Sequence, residues 1–356
     1  MHLEDGKVPE DYGRYTARKT AVLVAGGLLL LLLLVLSVSL GAVPVPLEEV
    51  IKVLFTGEGA ETWRTIILNI RLPQALAAVA AGAGLSVSGA AMQSILRNPL
   101  GSPFTLGVSN AAAFGAAFSV MVLSTGAMHS TGGDAVSITN PYLTTLAAFA
   151  ASMVATAVIL AVSRIRRASP EVMILTGVAM GSLFTAGTMF LQYFADDVQL
   201  AAMVFWTFGD LARASWRELA VISAVTAAAS VYFLFNRLNY NAMDAGDETA
   251  RGLGVPVEPL RLVGMLVASL VTATIIAFVG VIGFVGLVCP HVVRRIVGDD
   301  HRFLIPGSIL AGAVLLLAAD TAARLALAPR VLPVAVITAF IGAPVFILLL
   351  VRGYRR

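Results

Sequence analysis

Long apolar runs separated by short polar segments recur along the whole chain. Most runs have roughly the 20 residues that a helix needs to cross the hydrocarbon core of a bilayer. The pattern therefore predicts an all-α, polytopic membrane protein with about ten transmembrane helices. The predicted spans are residues 21–43, 72–95, 106–125, 142–163, 171–194, 217–236, 261–280, 283–297, 303–322 and 332–351. The eighth run is short and glycine-rich, which suggests a broken or partial crossing.

The composition supports a lipid environment for most of the chain. Hydrophobic residues make up 58% of the sequence and charged residues 13%, whereas soluble proteins carry about 25% charged residues. The first apolar run, 21–43, is too long for the core of a signal peptide, so we read it as the first span. Residues 1–20 are then a cytoplasmic tail, and residues 21–356 form a single transmembrane domain.

The distribution of basic residues predicts the orientation. If both termini are inside, most of the 24 Lys and Arg residues fall in inside segments, as the positive-inside rule requires. We therefore expect a multi-pass protein of the plasma or inner membrane with an even number of spans. The 24 basic residues barely exceed the 21 acidic residues, so no nucleic-acid partner is expected.

Catalytic chemistry is hard to find in this sequence. It contains neither a P-loop nor an HExxH motif, and its four histidines lie on different segments. With a single cysteine, Cys289, we predict no metal site, no cofactor and no enzymatic activity. Few ionisable residues fall within the spans, which argues against an ion-coupled carrier. The energy for any transport is then expected to come from another polypeptide.

One charged pair lies inside a predicted span. Asp320 is about a turn from the end of the ninth span, and Arg324 follows four residues later on the same helical face. A structural ion pair and an arginine presented to an external partner are both consistent with this pattern.

Two segments on the predicted inner side are more structured than ordinary connectors. In "RNPLGSPFTLGVSN" (97–110), prolines and glycines interrupt the helical pattern while the apolar content continues. A broken segment at membrane depth is tolerated where it faces protein or a water-filled cavity, so it is a gate candidate. The longest inner loop, 241–261, contains a plausible short helix, Asp247 to Leu253, that is acidic at its start and suited to docking a soluble partner.

Four stretches resemble the FecCD family of ABC-importer permeases, which includes the vitamin B12 permease. They are "IRLPQALAAVAAGAGLSVSGAAMQSILRNPLGSPFTLGVSNAAAFGA" (70–116), "GDETARGLGV" (246–255), "GFVGLVCPHVVRRIVGDDHRFLIPGSILAGAVLLLAADTAARL" (283–325) and "LPVAVITAFIGAPVFILLL" (332–350). The resemblance covers almost the whole chain after residue 64. It implies a vitamin B12 permease-like fold with both termini inside. It also implies a homodimer in membrane lipid, driven by two cytoplasmic ABC ATPase subunits and supplied by an extracytoplasmic substrate-binding protein.

The resemblance also assigns site residues. It implies an inner gate at Asn98, Pro99, Leu100, Pro170 and Glu171. It implies ATPase coupling through Asp247, Glu248, Thr249, Ala250, Arg251, Gly252 and Leu253, and binding-protein docking at Arg71, Gln74 and Arg324. Gln74 stands where the family commonly has arginine, Glu171 where it has a small polar residue, and Val331 and Ala335 also depart from the pattern.

The implied cargo is a metal chelate, with iron–siderophore first and cobalamin or haem next. An oxyanion such as molybdate is an alternative cargo for the same type of permease. An ion-coupled secondary transporter and a membrane-embedded enzyme are alternatives of other classes. An ion-coupled transporter predicts charge pairs within the membrane, and a membrane-embedded enzyme predicts a polar cluster of His, Asp and Glu near one surface.

Overall fold

The computed structural model describes residues 10–41, 43–128, 136–138, 140–166, 169–328 and 330–353. These residues form a bundle of helices with one small hairpin. The helices are α1 (Glu10–Ser39), α2 (Leu47–Thr56), α3 (Glu61–Arg64), α4 (Leu72–Ile95), α5 (Val108–Val122), α6 (Pro141–Ile165), α7 (Pro170–Phe194), α8 (Asp197–Thr207), α9 (Trp216–Phe235), α10 (Arg237–Asp244), α11 (Asp247–Gly252), α12 (Val257–Val279), α13 (Val285–Val297), α14 (His301–Ala326) and α15 (Val334–Gly353). A π-helical turn, Thr65–Arg71, joins α3 to α4, and Leu211–Arg213 form a 3-10 helix. Strand β1 (Gly126–Met128) pairs antiparallel with β2 (Val136–Ile138).

The predicted all-α membrane fold is confirmed. Seven helical segments among the described residues are long and apolar enough to cross a membrane, and α5 and α15 add shorter apolar helices. With α13 they account for the predicted count of about ten. Helix α1 begins at Glu10, well before the predicted start at residue 21, since backbone hydrogen bonding continues through the polar residues that precede the apolar run.

Local sequence signals explain where several helices begin. The side chains of Asp196 and Gln199 form a capping box at the start of α8, and Ser215 and Glu218 form another at the start of α9. Each box satisfies backbone N–H groups that have no partner within the helix. The hairpin of β1 and β2 was not predicted, and most of the polar loop between its strands lies outside the described residues.

Helix α4 lies at the centre of the bundle and is buried along most of its length. It packs against α9, α12, α13 and α14. Its glycines allow unusually close approach: a methyl group on Gly89 would lie 1.7 Å from the carbonyl oxygen of Gly286, and one on Gly82 would lie 2.2 Å from that of Gly312. Membrane helices pack in this way because lipid provides no hydrophobic drive for helix association.

The bundle is interrupted at two places. No helix covers residues 96–107, which include most of the predicted gate segment, 97–110; its last three residues lie in α5. A second break separates α12 from α13, where Gly280 and Phe284 both have positive φ angles, +81° and +66°. With 13 residues, α13 is about 20 Å long, which is less than the roughly 30 Å of a hydrocarbon core. The eighth apolar run is thus a partial crossing.

Candidate functional site

The segment between α4 and α5, here called the gate loop (residues 96–107), is an ordered turn built around Asn98. The Oδ1 atom of Asn98 accepts a hydrogen bond from the backbone N–H of Leu100 at 2.8 Å. The backbone N–H of Asn98 donates to the carbonyl oxygen of Gln93 at 3.0 Å. Asparagine side chains commonly close turns by bonding the backbone two residues on. Pro99 and Leu100 are therefore held exposed at the tip of the loop.

The end of the gate loop packs directly on α7. Gly107 has a φ angle of +77°, and a methyl group there would lie 2.6 Å from the Cα atom of Gly181. The Nδ2 atom of Asn110, in the first turn of α5, donates to Oγ1 of Thr185 at 2.8 Å. A movement of the gate loop would therefore displace the part of α7 that packs on it.

Helix α11 presents two different faces, which divide the seven predicted coupling residues. Ala250 is buried, and Asp247 is partly buried at the first position of the helix. The other five residues are exposed, and the Leu253 side chain is 70% exposed. The exposed residues are Glu248, Thr249, Arg251, Gly252 and Leu253. Helix α11 is thus a short helix with one face packed against the bundle and the other face exposed to solvent.

Three of the predicted residues, Pro170 and Glu171 of the gate and Asp247 of the coupling segment, line one open cavity of about 500 Å³. Its lining comes from the gate loop, the start of α7, helix α11 and the start of α12. The lining residues include Arg97, Pro170, Glu171, Asp247 and Arg261. Segments that are distant in the sequence are therefore neighbours at one end of the bundle, which we call the α11 end.

Arg261 is the buried cation of this site, and sequence reasoning missed its role. Its side chain is 1% exposed. Its Nε donates to the carbonyl oxygen of Ile95 at 2.9 Å, and its Nη2 donates to Oδ1 of Asp247 at 2.8 Å. Burial raises the pKa of Asp247, but the hydrogen bond and charge of Arg261, with the nearby charge of Arg97, outweigh it and lower that pKa below its ordinary value.

A second polar cluster lies on the other side of the gate loop. The Nε2 atom of the buried His301 is 3.0 Å from both Oγ of Ser94 and Oδ2 of Asp244. Burial raises the pKa of Asp244, but hydrogen bonds from His301 and Ser94 and the charge of Arg294 lower it overall. A cavity lined by Asn98 and Pro99 of the gate loop lies beside Asp244 and Arg294. Residues of the gate loop thus line two cavities that also contain charged side chains.

At the opposite end of α4, the three predicted docking residues are buried. Arg71 donates from Nη1 to the carbonyl oxygens of Val38 and Ser39 at 2.9 and 2.8 Å, and its Nη2 bonds the carbonyl of Val43. These carbonyls lie at and beyond the C-terminal end of α1, where backbone acceptors lack helical partners. Arg71 therefore holds the end of α1 against α4.

Asp320 and Arg324 form the ion pair that the sequence suggested, at 3.1 Å between Nε and Oδ2. Asp320 is 3% exposed and Arg324 is 8% exposed. The Nε2 atom of Gln74 donates to Oδ1 of Asp320 at 2.9 Å, and Nη2 of Arg324 donates to Oγ of Ser37 at 2.6 Å. Both carboxylate oxygens are thus bonded within the chain, which supports the structural interpretation of the pair.

Comparison with known proteins identifies this arrangement. Residues 29–352 match the FecCD transport family. The chain belongs to the FecCD transport family. This match confirms the resemblance seen in the sequence motifs. It decides against the ion-coupled secondary transporter and the membrane-embedded enzyme.

Individual FecCD relatives match over most of their length. A candidate ABC transporter permease of Methanocaldococcus jannaschii is 51% identical over 98% of this chain and 99% of its own. The haemin transport permease HmuU of Yersinia pestis is 37% identical over 81% of this chain and 83% of its own. The cobalamin import permease BtuC of Halobacterium salinarum is 37% identical over 82% of this chain and 74% of its own.

A solved structure of the same type agrees with the fold. It is described as an inward-facing conformation of a candidate metal-chelate type ABC transporter, and it superposes with a TM-score of 0.79 at 30% identity. The alignment covers 94% of this chain and 99% of the other. The protein is therefore a multi-pass ABC transporter permease of the cell membrane. Such permeases work with ATPase and substrate-binding components and are not themselves enzymes.

Proposed function

We propose that two copies of this chain form the translocation pathway of an importer for a metal chelate. The observation that carries the proposal is the cavity at the α11 end, because it brings the gate loop, the start of α7 and α11 together. Relatives are named for haemin, cobalamin, Fe(3+)-hydroxamate and Fe(3+)-citrate. These cargoes share a metal held in an organic ligand, so we assign a metal chelate to this chain, with iron–siderophore first.

In this proposal the α11 end faces the cytoplasm and both termini are inside. The ATPase subunits bind the exposed face of α11, where Arg251 offers charge and Leu253 offers an apolar side chain. Asn98, Pro99 and Leu100 in the gate loop and Pro170 and Glu171 at the start of α7 form the inner gate. The exposed tip of the gate loop supports this role because a gate must meet the pathway or its counterpart in a second copy.

The second copy would cover apolar side chains of α7 and α15. Tyr193 on α7 is 83% exposed and Phe340 on α15 is 75% exposed. Phe190 and Leu183 are exposed on α7 as well. Lipid contact alone would also accept these side chains, so the dimer rests on the family assignment and on the need for a pathway between copies.

Docking of the binding protein at Arg71, Gln74 and Arg324 stays a prediction. The two guanidinium groups donate to backbone carbonyls near the end of α1, and Gln74 donates to Asp320. An acidic residue of the partner would therefore compete with existing hydrogen bonds. Docking through these groups predicts that the end of α1 shifts when the binding protein arrives.

The proposed function is tested with the complete complex of permease, ATPase and binding protein in proteoliposomes. Labelled cyanocobalamin, haemin, a ferric hydroxamate and molybdate are offered with and without ATP. We expect ATP-dependent uptake of one chelate and of no molybdate, and native mass spectrometry of the binding protein should find the same chelate bound. Uptake of molybdate alone would replace the chelate assignment with an oxyanion, and absence of all ATP-dependent uptake of the chelates would contradict the proposal.

A further inference from the structure

Arg261 is a buried cation, and its burial requires a specific reason. Removing a guanidinium from water is costly unless its charge and its donors are matched by partners. Arg261 lies near the start of α12 and is 1% exposed. The partners that lower this cost are therefore integral to this part of the fold.

Two described partners of Arg261 adjoin or belong to the moving parts of the proposed mechanism. Ile95 is the last residue of α4, directly before the gate loop, and its carbonyl oxygen is one of those that a helix end leaves without an intrahelical partner. Asp247 is the first residue of α11. The Nε of Arg261 donates to the Ile95 carbonyl oxygen at 2.9 Å, and its Nη2 donates to Oδ1 of Asp247 at 2.8 Å. One planar group thus bridges α11 and the end of α4, directly before the gate loop.

The other contacts of α11 are weaker. The ion pair between Arg251 and Glu258 is 3.8 Å long with both side chains about half exposed, and that between Arg97 and Asp247 is 4.0 Å long. Solvent-exposed pairs of this kind contribute about 0–1 kcal/mol. The bond between Arg261 and Asp247 is shorter and one partner is shielded from water. Besides the packing of Ala250, it is the strongest described attachment of α11 to the bundle.

We infer that Arg261 is the positioning residue that transmits the displacement of α11 to the gate loop, through its simultaneous bonds to Asp247 and to the carbonyl of Ile95. The inference rests on the proposed function, since it takes α11 as the element that the ATPase moves. Because the guanidinium is planar and bonds through two different nitrogens, a shift of Asp247 displaces the end of α4 by a similar amount. A lysine at this position keeps the charge but has one nitrogen on a flexible stem, so it cannot hold both partners in this geometry.

The test measures the amount of chelate imported per ATP hydrolysed by the complete complex in proteoliposomes. The probe is whichever of cyanocobalamin, haemin or a ferric hydroxamate the unaltered complex imports. For Arg261→Lys and for Asp247→Asn we expect continued association with the ATPase and continued ATP hydrolysis, with uptake per ATP reduced about tenfold by loss of one charge-assisted hydrogen bond. Asp247→Glu, which keeps the carboxylate, should restore most of the ratio.

Asp299→Asn is the matched control, because it makes the same change at an exposed carboxylate that pairs with Arg294; its ratio should equal that of the unaltered complex. A purely structural role of Arg261 lowers uptake and hydrolysis together and leaves their ratio unchanged, which overturns the inference. If Arg261→Lys does not assemble, Asp247→Asn decides, since Arg261 is retained and Asp247 is partly exposed. Failure of the proposed function is distinct, because it appears as no ATP-dependent uptake by the unaltered complex.

Discussion

Replacement of Arg324 by methionine tests whether this residue serves the fold or the binding protein. The substitution keeps much of the side-chain volume and removes the charge. It leaves Asp320, which is 3% exposed, with Gln74 as its remaining hydrogen-bond partner. Breaking a buried pair by removing one partner costs about 3–5 kcal/mol, because the other charge is left uncompensated. Arg324→Met also removes the bond to Ser37 on α1.

We expect the purified variant to have a lower melting temperature in detergent than the unaltered permease. Tryptophan fluorescence measures the unfolding. A loss of this size corresponds to a decrease of roughly 4–7 °C for a chain of this length. The double variant Asp320→Leu with Arg324→Met removes both charges. It should recover a substantial part of the loss, because no uncompensated carboxylate remains, while the contacts of Arg324 with α1 stay absent.

If Arg324→Met melts at the same temperature as the unaltered chain, Arg324 does not stabilise the fold. Weaker binding of the substrate-binding protein by that variant, with unchanged stability, would assign Arg324 to docking alone. Loss of stability without loss of affinity would assign it to the fold alone. Affinity should be measured at low salt, where interactions between exposed charges are least screened.

The other predictions compare matched substitutions. Gly89→Ala should lower the melting temperature by overpacking α4 against α13, at a cost of about 1–3 kcal/mol or more, because the added methyl would meet a backbone carbonyl. Gly252→Ala places no atom within 4 Å of the added methyl and should leave the melting temperature unchanged. Equal melting temperatures of the two variants would contradict the close packing of α4 on α13. Arg251→Glu should abolish co-purification of the ATPase without affecting membrane insertion. Arg237→Glu, an equal charge change outside α11, should leave co-purification intact. Normal co-purification with both variants would show that α11 does not contact the ATPase.

Features that depend on neighbouring residues were predicted from the sequence. The helices follow from apolar runs, and the gate loop follows from its prolines and glycines. Helix α11 begins at Asp247, the residue predicted, and ends at Gly252, within a residue of the predicted end. In each case the signal is local, because helix formation and helix breaking are decided within a few residues.

Contacts between distant segments were not predictable in this way. Arg261 and Ile95 are separated by 166 residues, and His301 and Ser94 by 207. In the sequence Arg261 is one more basic residue on the inner side, and His301 is one histidine in a charged turn. Neither residue type at that position indicates which carbonyl or hydroxyl it will meet.

The sequence by itself therefore determined the membrane environment of this protein, the order of its helices and the positions of the breaks between them. It could do so because hydrophobicity and backbone preference are properties of short segments. Only the tertiary structure decided that Arg71 and Arg324 are buried against α1, and that Arg261 joins α11 to the end of α4. Those outcomes depend on which helix ends come together, and a buried guanidinium binds whichever acceptors the packing brings within about 3 Å. Close packing at Gly82 and Gly89 brings the helices near enough for such partners to meet.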